Sequence, residues 1–163
     1  MEGERKFRMN FKLPEDISEI FYKKYNEFLS ENKDQIKFYF SELLEMKRPL
    51  FSIELAAPIK IIQDMENLLI EKRYHIYNKI KLFHEEDKNY ENYPQEVFDK
   101  YPNEVIVNSI IYISLRSEFI HLAELVENTT FSCDIHDICD ARATLKGLIH
   151  GYQIKNIIGF IEQ

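Results

Sequence analysis

Residues 104–115 read EVIVNSIIYISL, and the element assigned to this stretch decides the fold. Its β-branched content suits a strand. The apolar residues, however, do not alternate strictly, and they continue through Phe119, Ile120, Leu122, Leu125 and Val126. On length, the run from Asn103 to about Glu127 predicts a helix, apolar on most sides and therefore central, with the other elements around it.

Working outward, the same reading predicts helices throughout. Pro14 suits a first helical position and Glu15 and Asp16 favour the positive end of the helix dipole. Ile17, Ile20, Phe21, Phe28 and Leu29 then share a face. After a polar break at 30–32, Ile36, Tyr39, Phe40, Leu43 and Leu44 recur at three- and four-residue steps until Lys47, Arg48 and Pro49 stop them. Ser52 reads as a cap and Pro58 as a kink or restart. The stripe Ile62, Met65, Leu69, Ile76, Ile80 and Phe83 extends the longest element. HEEDKNYENYP at 84–94 has no apolar period and reads as an exposed loop, and a short helix at 96–101 ends before Pro102.

Ser132 looks like the cap of a last helical region whose seam is Ile135, Ile138, Leu145, Ile149 and Tyr152. Gly147, Gly151 and Gly159 share a face if the region is one helix; alternatively Gly151 ends it. The expectation is an all-α fold. Residues 1–12 form a loose leader, and residues 13–163 form a single helical bundle of about five to seven helices with a long central one.

Composition supports this reading. Only 4 Gly and 5 Pro offer little turn chemistry for an all-β domain, and 45% apolar residues suffice for a core in 163 residues. Net charge is −7, from 28 acids and 21 bases, which argues against a broad nucleic-acid footprint. No stretch reads as a signal sequence or as an apolar span of about 20 residues. An intracellular location is expected, in the cytoplasm or nucleus, without membrane insertion.

Three constellations bear on chemistry. Cys133, His136 and Cys139 offer soft ligands for zinc or iron, but six residues on a helix rise about 9 Å, and no second ligand pair accompanies them. The preferred reading is therefore no metal, with Cys139 a small core residue. Glu118 and His121 form one Glu-x2-His unit of the di-iron kind. The second unit is absent, since Glu71 and His75 stand four apart.

Arg116 and His121 have the Arg-x4-His spacing that resembles the signature of HEPN-type helical ribonucleases and nucleotide-binding domains. The resemblance implies an all-α fold in which Arg clamps phosphate and His acts as acid or base on the ribose hydroxyl. It covers these two positions, with Ser117 where that family usually has Asn, Asp or His. The alternative to such a pair is a surface ion pair of Arg116 with Glu118 or Glu124.

Glycine-rich phosphate loops, Gly-x-Ser-x-Gly and His-Glu-x2-His are all missing from the sequence. With 12 Phe and 10 Tyr, the aromatic content is high, and Tyr90, Tyr93, Phe98 and Tyr101 cluster around the acidic loop as a candidate partner-binding surface. The expected function is a non-catalytic interaction domain acting as adaptor, regulator or assembly subunit. Its partner would be a protein, a second copy of the chain included, and no cofactor is expected.

Overall fold

The computed structural model describes residues 12–128, 145–148, 150 and 151. It is mixed α/β, which overturns the all-α expectation. The order is α1 (Ser18–Tyr25), α2 (Lys33–Leu44), β1 (Leu50–Pro58), α3 (Ile59–Glu71), β2 (His75–Leu82), a 3-10 turn (Glu85–Asn89), α4 (Gln95–Lys100), β3 (Ile106–Ser114) and α5 (Ser117–Asn128). The strands form one sheet in the order β1-β3-β2. Both ladders are antiparallel, so β1 and β2 point the same way on either side of β3.

The expected central helix at 103–127 is a strand followed by a helix. β3 is buried on both faces, and a doubly covered strand reads as a continuous apolar run instead of an alternating one. Such a run carries no period that separates it from a buried helix. The break falls at Ser114, whose hydroxyl donates to the Pro49 carbonyl at 2.7 Å and accepts the Arg116 amide at 3.1 Å.

The expected long helix over 52–83 is β1, α3 and β2. Phe51, Ile53, Leu55 and Ala57 alternate into the core, a strand period. Pro58 ends β1 and enters α3, and its missing N–H leaves no ladder bond unmade. Arg73, at φ 69° in the left-handed region, separates α3 from β2. Ile76 and Ile80 are four apart, a spacing that fits one face of a helix and one face of a strand equally well.

The two leading helices form as expected, with shifted bounds. α2 opens on a reciprocal cap: Gln35 N–H donates to Asn32 Oδ1 at 2.9 Å, and Asn32 N–H to Gln35 Oε1 at 2.8 Å. α1, α2 and α3 cover one face of the sheet. There Phe40 meets Phe21, Phe51 and Tyr74 edge-on, with ring centroids 5.5, 5.0 and 5.5 Å apart. α5 covers the other face, packing Ile120 and Ala123 on Leu50 and Tyr112.

Near the chain's end, residues 145–148 are helical, and Gly151 then takes φ 82° with its N–H donating to the Leu148 carbonyl at 3.0 Å. Gly151 thus ends this helix, and the continuous-helix alternative fails there. A Cβ on Gly151 would stand 2.9 Å from Pro49 Cδ, so the close approach itself calls for glycine. No helix among the described residues is long and apolar enough to cross a membrane.

Candidate functional site

Over its described residues, α5 packs on the sheet through Ile120 and Ala123. It sits over the beginning of β1 and the end of β3. Its C-terminal turn reaches β2 at Lys79, through Glu127. Among the described residues, none of α5 lines the space over the next cross-strand row on this face, Ala56–Asn108–Lys81.

This row belongs to an open groove of about 940 Å³ at the carboxyl ends of β1 and β2. Glu54 and Asn108 contribute to its floor, joined by an Asn108 Nδ2 to Glu54 Oε1 hydrogen bond of 3.2 Å. The 83–94 arm makes one wall with Phe83, Asp87, Tyr90 and Tyr93. Asp87 fixes the arm's first turn by accepting the His84 amide at 2.6 Å.

The arm is held by its own aromatics. Tyr93 stacks on Phe98 at 4.9 Å, and Phe83 meets both rings edge-on at 5.7 and 5.4 Å. Tyr101 donates to Glu27 at 3.0 Å, Lys100 pairs with the same carboxylate, and the Tyr101 ring lies 5.9 Å from Phe28. The four expected partner-binding aromatics are thus divided. Phe98 and Tyr101 anchor the arm, Tyr93 lines the groove with its ring braced, and Tyr90 is 65% exposed at the groove.

Under α5 lies a buried charge. The Glu127 side chain is 1% exposed, and its carboxylate takes Lys79 at 2.7 Å, Lys146 at 2.8 Å and the Tyr112 hydroxyl. Burial alone would raise its pKa. The hydrogen bonds from Lys146, Lys79 and Tyr112 outweigh that and bring it down to about 2. Burial, followed by the Glu127 bond, pushes the Tyr112 hydroxyl up, so it stays a donor. The signal in the sequence was an acid at a core position: Ile120, Ala123 and Glu127 fall at helical steps of three and four.

Beside this network Ser52 Oγ lies 3.0 Å from His150 Nε2, while His150 Nδ1 is 2.6 Å from the Lys146 carbonyl. A carbonyl only accepts, so Nδ1 carries the proton and neutral Nε2 accepts from Ser52. Burial lowers the His150 pKa and favours this neutral form. The pair has the form of a nucleophile and its base. Neither residue lines the groove, and what the contact does in this fold is fasten the 145–151 segment to β1.

Arg116 stands just before α5 and pairs with Glu118 at 3.4 Å, and His121 is exposed on α5. Arg116 lines a separate cavity of about 240 Å³ with Leu115 and Phe119; His121 is not part of its lining. The structure does not gather the two into one cavity, and the sheet removes the all-α frame that the HEPN resemblance implies. Cys133, His136 and Cys139 lie outside the described residues. Among those described, no group of three or more His, Cys, Asp or Glu is placed to hold a metal ion. No protein family matches the chain, and comparisons with curated proteins and with solved structures find no match.

Proposed function

We propose that this chain is a non-catalytic interaction domain that receives a segment of a protein partner in the groove between the sheet and the 83–94 arm. The observation that carries this reading is the pairing of an open groove of about 940 Å³ with an arm whose aromatic rings pack on one another and which presents Tyr90 to solvent. A rigid wall loses little conformational entropy on binding, and a tyrosine offers large contact area at the cost of two torsions.

The test is a photo-crosslinking amino acid placed at Tyr90 and, as control, at Phe38, which is 52% exposed on α2. The expected result is a stoichiometric protein adduct, a second copy of the chain included, from position 90 alone. Equal labelling from both positions, or none from position 90, would overturn the reading.

A further inference from the structure

We propose that the groove's occupant is an extended, lysine- and arginine-bearing segment, held by Tyr90 and by the carboxylates of the arm. This rests on the groove being the site for a protein segment. The charges around the groove favour a cation. Glu54 and Asp87 line the groove against Lys81, and Glu85, Glu86 and Glu91 stand beside it on the arm, outside the lining, with Lys88.

Lys88 is already taken by Glu85 at 3.1 Å. Glu86 and Glu91 are exposed and have no ion pair among the described residues, so their field is open to a ligand. Asp87 spends one oxygen on the His84 amide and keeps the other. The net charge of −7 adds a long-range attraction of the same sign.

Tyr90 supplies what charge alone does not. An exposed ring attracts ammonium and guanidinium groups to its face, Arg more often than Lys, and this stacking is lost on a neutral side chain. The floor adds a second demand. Glu54 spends one oxygen on Asn108, so a segment passing over them can place a donor on the other, and a cationic side chain is one. An acidic segment would place like charges against Glu54 and Asp87, which selects against it.

The experiment titrates the full chain into three labelled peptides of one frame that carry Lys and Arg, Glu, or Ser at the same positions. The basic peptide is expected to bind at least about tenfold more tightly than the others, and to weaken roughly tenfold between about 50 mM and about 0.5 M salt. Tyr90→Ala and the double variant Glu86→Gln/Glu91→Gln should each weaken it about three- to tenfold, while Glu71→Gln, a remote exposed acid, should not. Equal binding of the Glu or Ser peptide would overturn the charge assignment and leave the groove reading standing. Equal weakening by Glu71→Gln would show non-specific attraction and overturn the assignment too. Binding of none of the three would overturn it, and if position 90 also fails to crosslink, the groove reading falls with it.

Discussion

The two faces of the sheet are covered by different physics. On one, α1, α2 and α3 bury a contiguous cluster of aliphatic and aromatic side chains with Phe40 at the meeting point of three rings. On the other, α5 contributes a small apolar set and a carboxylate that three donors hold in place. The first face depends on area and close packing, which pH leaves alone. The second depends on protonation state, and the groove lies farther along the same sheet.

Truncating the apolar face should do most damage. Phe40→Ala is expected to cost about 3–5 kcal/mol, read as a lower urea midpoint, with no change in its pH dependence. Glu127→Gln comes next, at about 2–3 kcal/mol near neutral pH. That is less than a fully buried pair would cost, because Lys79 and Lys146 keep 23% and 34% side-chain exposure. The sign follows from a folded pKa of about 2 against an ordinary 4.5. The wild-type contribution is complete above about pH 4.5 and is lost as pH falls through the window down to about 2. The gap between wild type and Glu127→Gln should close across that window; a gap independent of pH would break the contrast between the faces.

Smaller effects refine it. Gly151→Ala is expected to cost about 1–2 kcal/mol, because the residue needs positive φ and its Cβ would press on Pro49. Thermal unfolding would show whether the 145–151 segment is part of the cooperative unit. Asn32→Ala should remove about 1 kcal/mol through the lost cap on α2. Tyr90→Ala, exposed as it is, should stay within about 0.5 kcal/mol of wild type while losing the position-90 function, which separates the groove from both cores.

Parts of the fold were legible in the sequence. α1 and α2 show their periodicity, with a polar break before α2, and the short α4 shows as a turn of helix ahead of Pro102. The arm shows its acids and lack of period. The strands did not declare themselves, for two separate reasons. β3 is apolar on both faces, so its length, extended by α5 immediately after it, mimicked one long helix. β2 and α3 together carried apolar residues at spacings compatible with either period, and Arg73, the residue in the left-handed conformation between them, is not a residue type that marks a break.

The site was half legible. Tyr90 and Tyr93 stand out as aromatics in an acidic, unpatterned stretch. Their partners on the floor, Glu54, Asn108 and Lys81, come from three strands far apart in the chain, and nothing local marks them as neighbours. The same holds for Ser52 and His150, 98 residues apart and joined by one hydrogen bond.

By itself the sequence determined where apolar side chains recur, which runs must be covered on all sides, and where charge and aromatic residues gather without a core to enter. Only the tertiary structure decided that the most apolar run is a strand. Local preference between helix and strand at such a run is worth little per residue, while pairing with β1 and β2 satisfies its backbone and buries both its faces at once. It also decided that Glu54, Asn108 and Lys81 meet at the groove, because antiparallel pairing sets three strands distant in the chain side by side.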